Sequence, residues 1–153
     1  MTTTLHHCPE RIAVGVDGSV ASHAAVRWAI AHARSGDTVT LVHVWQPSPI
    51  TIETGLVDPN DDSGAQHFID RELARAVALP REPEVVVCSK AIRGNPGDGL
   101  GSVSTDLLVV GAGRHGRLVG AVLGSVSAHL LRHARVPLVT IPTPDASESP
   151  TLE

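Results

Sequence analysis

Short apolar runs recur along the chain, and segments with apolar residues at helical spacing separate them. Most of these runs are continuously apolar, which is typical of strands that are covered on both faces of a parallel sheet. The regular succession predicts a single doubly wound α/β domain, with helices on both faces of a five-stranded parallel sheet. The predicted strands cover residues 11–17, 38–45, 84–89, 105–112 and 136–141.

Three of the intervening segments are predicted to be helices. The first should run from about Ser19, a candidate N-cap, to about Arg34, and Gly36 follows its end. The second is expected at 65–78 and the last at 124–133, where apolar residues share one side.

The segment 93–105 fits this pattern least well. It should supply the third crossover helix, yet it contains Gly97, Gly99 and Gly101. Each glycine inside a helix costs about 1 kcal/mol relative to alanine. A short, fraying helix or a loop is therefore expected there.

Polar segments set the limits of the predicted domain, which covers residues 10–142. Residues 1–9 are expected to form a mobile leader, and the acidic tail 143–153 is expected to be disordered. Within the domain, the connection 46–64 is rich in Pro, Asp and Gly and longer than most connections in compact domains. It is expected to be mobile or to cover a site as a flap.

Charge and hydropathy narrow the class of protein. A formal net charge of −4 argues against a nucleic-acid partner. No apolar run approaches the ~20 residues of a membrane span, and the start of the chain lacks the apolar core of a signal peptide. A soluble, cytoplasmic protein is expected. The two cysteines, Cys8 and Cys88, form no disulfide framework, and Cys88 is expected to be a small buried apolar residue.

The stretch 109–127 contains five glycines and no acidic residue, between the fourth predicted strand and the last predicted helix. Glycines let backbone N–H groups approach an anion, and the free N–H groups at a helix start attract negative charge. Arg114, His115 and Arg117 add positive potential. Taken alone, the stretch is equally compatible with a phosphate site and with a plain glycine-rich connection.

Two further patterns have simple explanations. Gly111, Gly113 and Gly116 spell the dinucleotide fingerprint G-x-G-x-x-G, but they follow the fourth strand, and no acidic residue ends the next one. The sequence therefore disfavours dinucleotide binding. Asp17 precedes Gly18 and Ser19, which is turn chemistry, so an Asx turn or a helix cap explains Asp17 without a ligand.

The nine histidines raise the question of a metal site. His129 and His133 lie four residues apart on the last predicted helix, but no Glu stands between them as in metalloproteases. A surface pair or a helix-end cation is expected, and no metal site. His43 is interpreted as a hydrogen-bonded core residue. No catalytic constellation is visible, since the glycine-rich loop offers only His115 as a base.

Three segments, in order and at the right spacing, resemble the universal stress protein family over almost all of residues 10–142. They are "IAVGVDGSVASHAAVRWAIAHA", "LVHVW" and "LLVVGAG...LGSVSAHLLRHARVPLVTI". The resemblance implies a Rossmann-like fold with strand order 3-2-1-4-5 and a homodimer that pairs the last strand, 136–141, with its copy. It also implies a cytosolic stress-response regulator that binds ATP or a related adenine nucleotide, with Mg²⁺ as a candidate companion ion.

The same resemblance assigns roles to individual residues. Gly15 and Val16 would border the base, Asp17 would lie near the ribose or adenine, and Val44 would contact adenine through its main chain. The phosphates would lie against Gly111, Ala112, Gly113, Arg114, His115, Gly116, Arg117, Gly124, Ser125 and Val126.

One position departs from the family's phosphate motif, which is Gly, two residues, Gly, nine residues, Gly, then Ser or Thr. Gly111, Gly124 and Ser125 match it, but Arg114 stands in place of the second glycine. If Gly113 supplies the unusual backbone angle, the Arg114 guanidinium can donate to the phosphates and binding is retained. If it does not, the site is degenerate and the chain acts as a dimeric interaction module for an unknown protein partner. A nucleotide hydrolase is the least favoured alternative, with slow ATP hydrolysis at most.

Overall fold

The computed structural model describes residues 7–55, 58, 60–112 and 124–142, with the backbone alone at 50 and 51. The expectations for residues 1–6 of the leader, for the tail 143–153 and for Gly113, Arg114, His115, Gly116 and Arg117 lie outside the described residues. The described residues form five strands and five helices, with two consecutive helices between the second and third strands.

All five strands belong to one parallel sheet with the order β3-β2-β1-β4-β5. The predicted fold class and the strand order implied by the resemblance are both confirmed. The last strand, β5, lies at one edge, and Pro137, which has no N–H to donate to a ladder, directly precedes it. The strands are β1 (Arg11–Gly15), β2 (Thr38–Trp45), β3 (Val86–Arg93), β4 (Leu107–Ala112) and β5 (Leu138–Pro142).

The third strand differs most from its prediction, since it begins two residues later and ends four residues later. Glu84 lies in a turn with a positive φ of 65°, so the strand cannot begin there. The strand pairs with β2 over its whole length, up to Arg93 opposite Trp45. Pairing with this long neighbour carries the strand past the end of its apolar run, because tertiary context overrides local β-propensity.

The helices cover both faces of the sheet, as predicted. Around α1 and α3 the core includes Val14, Ala29, Leu41, Ile69 and Val109, and around α4 and α5 it includes Ala13, Val42, Leu100, Leu108 and Leu130. None of the helices that the structure describes is both long and apolar enough to cross a membrane. The helices are α1 (Val20–His32), α2 (Pro49–Thr54), α3 (Ser63–Val77), α4 (Pro96–Gly101) and α5 (Ser125–His133).

The start of α1 follows the sequence prediction, whereas its end is reached in a different way. Ser19 is the N-cap, and its Oγ accepts a hydrogen bond of 3.1 Å from the Ser22 N–H. The helix stops at His32 because Ala33 is extended. Gly36, with φ of +93°, lies in the turn before β2 and not directly at the helix end.

The glycine-rich segment 93–105 forms the six-residue helix α4. The Asn95 side chain caps it by accepting from the N–H groups of Gly97 and Asp98, at 3.0 and 3.4 Å. A Cβ added to Gly97 would lie 2.7 Å from His129, and one added to Gly99 would lie 2.7 Å from Val44. These glycines therefore allow α4 to pack closely against both α5 and β2.

A buried carboxylate holds together the chain at the amino edge of the sheet. Asp37 is 2% exposed and accepts hydrogen bonds from the N–H groups of Glu10 and Arg34, both at 2.8 Å, and from the His7 ring at 2.6 Å. Burial raises the pKa of Asp37, but the hydrogen bonds outweigh it, so the pKa lies below its ordinary value. One side chain thus joins the start of β1, the end of α1 and the start of β2.

A second carboxylate anchors β1 to β4 at the same edge. Asp106 accepts from the Arg11 guanidinium and from the Arg11 backbone N–H, each at 2.9 Å. These hydrogen bonds lower the pKa of Asp106 to about 2. The Thr105 hydroxyl donates to the Arg11 carbonyl at 2.6 Å. The amino edge is therefore the firmly tied end of the sheet.

The packing of α4 can be tested with two alanine substitutions in the same helix. Gly99→Ala should lower the free energy of unfolding by about 1–3 kcal/mol, because the new Cβ overlaps the Val44 side chain. Gly101→Ala is the matched control, since the nearest atom to its Cβ would be 3.8 Å away, and it should be neutral or stabilising by up to about 1 kcal/mol. Urea unfolding measures both, and equal stabilities would contradict the proposed packing.

Candidate functional site

A cleft of about 150 Å³ opens at the carboxyl edge of the sheet, where β1 and β4 end side by side. The chain runs outward from β1 to β2 on one side and continues with β4 on the other, so the strand order reverses here. Open α/β sheets bind their ligands at such a point. The cleft is lined by Gly15, Val16, Asp17, Ser19, Ser22, Val42, Val44, Pro96, Leu100, Val110, Gly111, Val126 and Ser127.

Six of the candidate site residues meet in this cleft. They are Gly15, Val16, Asp17, Val44, Gly111 and Val126. Ser125 lines a neighbouring space of about 240 Å³ with Asn95 and Pro96, and Gly124 is the N-cap of α5. Ala112 ends β4 outside the cleft lining. The residues that the resemblance places near the base and ribose thus line one cleft, and the start of α5 lies beside it.

Asp17 is exposed at the mouth of the cleft and forms an Asx turn. Its Oδ1 accepts a hydrogen bond of 2.9 Å from the Ser19 N–H, which is the local role that the sequence offered as an alternative. Burial raises the pKa of Asp17, but hydrogen bonds from Ser19 and Ser22 outweigh it and hold the pKa below its ordinary value. The carboxylate is therefore ionised at neutral pH.

Gly111 has a structural role that its place in a phosphate motif did not reveal. A Cβ added there would lie 2.4 Å from the backbone carbonyl carbon of Ala21, so α1 could not pack against β4 beside any larger residue. The Ser127 hydroxyl donates to the Gly111 carbonyl at 3.4 Å, which ties α5 to the same point. Gly111 is needed for the shape of the cleft whether or not it contacts a phosphate.

The apolar walls of the cleft come largely from residues that sequence analysis missed. Val42 and Val110 belong to recognised strands, and their inward orientation follows from the alternation of side chains along β2 and β4. Leu100 and Pro96 come from α4, whose position depends on the glycine contacts described above. An added Cβ on Gly15 would lie 2.9 Å from Leu100, so this glycine keeps space beneath α4.

His43, His129 and His133 all make contacts within the fold. As expected, His129 and His133 lie together at the surface of α5, with stacked rings 4.4 Å apart, and His129 lies 3.1 Å from Asp98. The His43 ring is half-buried and hydrogen-bonded to the Val16 carbonyl, which confirms the interpretation of a core residue. In the part of the chain that the structure describes, no group of three or more metal-ligating side chains gathers.

Neither cysteine pairs. Cys8 is exposed, and Cys88 is half-buried, with its Sγ 3.3 Å from the Thr40 Oγ1. Cys88 is thus less deeply buried than expected, since β3 is an edge strand with a neighbouring strand on one side alone.

The fold and its switch-point cleft define the class of this molecule as a small doubly wound α/β protein. The family model of the universal stress protein family matches residues 9–142. Because this match covers most of the chain, the chain belongs to the universal stress protein family.

Individual relatives agree with this assignment. Universal stress protein Rv2623 of Mycobacterium tuberculosis is 37% identical over 145 residues, which cover 88% of this chain and 48% of the relative. Universal stress protein Rv2005c of the same species is 36% identical over 138 residues, covering 87% and 45% respectively. The chain spans about half the length of the curated relatives it matches.

Solved structures have the same fold. The hypothetical protein PH0823 superposes with a TM-score of 0.68 at 19% identity, covering 91% of this chain and 99% of its own. A universal stress protein family protein from Arabidopsis thaliana with AMP bound gives 0.61 at 23% identity, covering 94% and 97%. A universal stress protein in complex with cAMP gives 0.53 at 26% identity, covering 86% and 95%. The first two likenesses concern the fold alone.

The Asx turn at Asp17 predicts a pH-dependent contribution to stability. Asp17→Ala should lower the free energy of unfolding at pH 7 by about 1 kcal/mol, because the Ser19 N–H loses its charged acceptor. The folded-state pKa is lowered, so this contribution is present above the unfolded pKa of about 3.9 and is lost as pH falls through the folded pKa.

Urea unfolding of both proteins at pH 7 and pH 3 checks this expectation. The difference between wild type and Asp17→Ala should shrink at pH 3, and Asp17→Asn, which keeps an acceptor, should stay within about 0.5 kcal/mol of wild type at pH 7. A difference that grows on acidification would show that the carboxylate does not act through this turn.

Proposed function

We propose that this chain binds ATP or a related adenine nucleotide in the switch-point cleft and acts as a stress-response regulator in the cytoplasm. The observation that carries the proposal is the convergence of six candidate residues on one cleft between β1, β4 and α4. The family resemblance assigns Gly15, Val16, Asp17 and Val44 to the base and ribose, and Gly111 and Val126 to the phosphates.

The chemistry of the lining suits a nucleoside. The side chains of Val42, Leu100 and Val110 supply apolar walls for a base. Gly15 has no side chain and so leaves space for the base beside Leu100. Asp17 supplies an ionised carboxylate at the mouth, which can accept hydrogen bonds from ribose hydroxyls. An apolar pocket with a few placed polar groups is the usual form of a small-molecule site.

The phosphates would extend toward the start of α5. Gly124 is the N-cap of this nine-residue helix and Ser125 its first residue, so their free N–H groups favour an anion. Val126 belongs to the cleft lining, which makes the helix start continuous with the proposed base pocket. Mg²⁺ would bind chiefly through the phosphates, since Asp17 is the one carboxylate among the described lining residues.

A universal stress protein at 26% identity has been crystallised in complex with cAMP, which supports an adenine nucleotide as the ligand class. We propose occupancy, not turnover, as the signal. Asp17 is the one titratable side chain that lines the described part of the cleft, and its lowered pKa makes it a weak general base. Slow ATP hydrolysis at most is expected.

Assembly as a homodimer through β5 is part of the same proposal. This strand is at the sheet edge, and β4 occupies its inner side. An exposed strand edge presents free N–H and C=O groups to another chain. Pairing with a second copy would cover this edge and present a symmetric surface to a protein partner.

Nucleotide binding can be tested directly. Purified protein should release an adenine nucleotide on denaturation or bind added ATP in calorimetry, and Asp17→Ala should raise the Kd for ATP about ten-fold because a charged acceptor is lost. Asp70→Ala is the matched control, since Asp70 is exposed on α3 and lies outside the cleft lining. Protein that is empty and does not bind ATP would favour the interaction module instead.

The departure from the phosphate motif makes a separate prediction. If position 114 requires a positive φ, Arg114→Gly should lower the Kd for ATP roughly five-fold, because a side chain at such a position costs on the order of 1 kcal/mol. Arg114→Ala removes the charge but keeps the Cβ and should not tighten binding. An unchanged Kd in the glycine variant would reject this explanation of the loop, and a raised Kd would make Arg114 a phosphate donor.

A further inference from the structure

The hydrogen-bond ladder between β1 and β2 ends in an unusual way beside the cleft. The Val16 N–H donates to the Val42 carbonyl at 2.9 Å, one residue beyond the end of β1. In a parallel ladder the Val16 carbonyl would next accept from the Val44 N–H. Between these two described residues no such bond forms.

A side chain takes the place of the missing bond. The His43 Nδ1 lies 2.8 Å from the Val16 carbonyl oxygen. Because a carbonyl only accepts, Nδ1 must carry the hydrogen, and the contact selects this tautomer of the ring. The ladder therefore stops at Val16, with its N–H held by the backbone of β2 and its carbonyl held by a ring from β2.

The orientation of Val44 follows from the same ladder. Backbone groups of alternate residues point to the same neighbouring strand, so the Val44 main chain points to the same side as the Val42 carbonyl, beyond the end of β1. Val44 lines the cleft. Its N–H group is thus directed at the space where a ligand would lie, without a partner in Val16.

Phe68 on α3 supports the ring from behind. The two ring centroids are 4.4 Å apart at an interplanar angle of 47°. The same phenyl ring lies against Gly18, whose φ is +81°, since an added Cβ there would be 3.2 Å from it. One aromatic side chain therefore backs both His43 and the turn that follows Asp17.

We propose that His43 is a positioning residue of the nucleotide cleft. The ring holds the Val16 carbonyl turned away from the Val44 N–H, so the ladder ends one bond early and that N–H stays free for an acceptor atom of the base. Without the His43 donor, the Val16 carbonyl would accept from the Val44 N–H, and this N–H would no longer be available to the ligand. This inference rests on the proposed function and adds a residue from the face of the sheet opposite to the Val42 and Val44 side chains.

Two substitutions separate the hydrogen bond from the packing. His43→Phe keeps an aromatic ring against Phe68 but has no donor, whereas His43→Asn places an amide nitrogen where Nδ1 stood. The Kd for ATP should rise about ten-fold in His43→Phe and stay within about three-fold of wild type in His43→Asn. A purely structural role would instead make binding follow the loss of stability, so thermal unfolding without nucleotide is measured in parallel.

Amide hydrogen exchange at Val44, followed by NMR, reports on the ladder itself. In wild type the Val44 amide should exchange rapidly without ATP and become protected when ATP is added. In His43→Phe it should be protected without ATP, because the ladder gains a bond. If His43→Phe does not fold, His43→Leu, which also has no donor, replaces it.

Equal Kd values for wild type and His43→Phe, or a protected Val44 amide in nucleotide-free wild type, would overturn the inference. Failure of wild type to bind ATP would reject the proposed function and, with it, the role of His43 toward a nucleotide. The exchange comparison would still decide whether His43 ends the ladder, so the two failures are distinguishable.

Discussion

Close contact between the bare backbone of Gly111 and the first turn of α1 determines the geometry at the carboxyl edge of the sheet. With 2.4 Å between a hypothetical Cβ and the Ala21 carbonyl carbon, helix and strand can meet there only at a glycine. The same kind of contact recurs on the other face, where Gly97 and Gly99 of α4 pack against His129 and Val44. Three helices thus approach one edge of the sheet, and the space left between them is a narrow cleft.

Much of the fold could be predicted because continuous apolar runs and helical spacing are local signals. All five strands and the three main helices were found, and the strand order followed from a family resemblance. The errors arose where contacts with distant parts of the chain determine the bounds of an element. β3 is extended by its pairing with β2, which no local pattern contains. The short helix α2 within the connection 46–64 was not predicted.

Segment 93–105 shows why local propensity alone could not settle the nature of α4. Glycine is a poor helix former, so the sequence was compatible with a short, fraying helix and with a loop. Yet two of these glycines are what allows a short helix to fit between α5 and β2. The missing side chain of these glycines lowers helix propensity and also allows close packing. The packing effect becomes visible only in the three-dimensional structure. Leu100 and Pro96 reach the cleft for this reason and were missed.

In the candidate site, too, some residues could be predicted from sequence motifs, whereas others depend on contacts that only the structure shows. Gly15, Val16 and Asp17 follow a strand directly, and motif knowledge is enough to nominate them. His43 was correctly interpreted as a hydrogen-bonded core residue, but its partner, the Val16 carbonyl, lies 27 positions away in sequence. The link between a core contact and the shape of the cleft depends on how two strands end, and a sequence pattern does not contain that information.

The anchors at the opposite edge of the sheet have a consequence for how such proteins diverge. Asp37 and Asp106 bind together the segments that begin β1, β2 and β4, and each does so with its own neighbours. Substitutions in residues 113–123, which follow β4 in the sequence, leave the partners of these carboxylates unchanged. A glycine can therefore be replaced by an arginine in this segment without loss of the anchors at the amino edge, so the ligand preference of such a protein can change while its fold is retained.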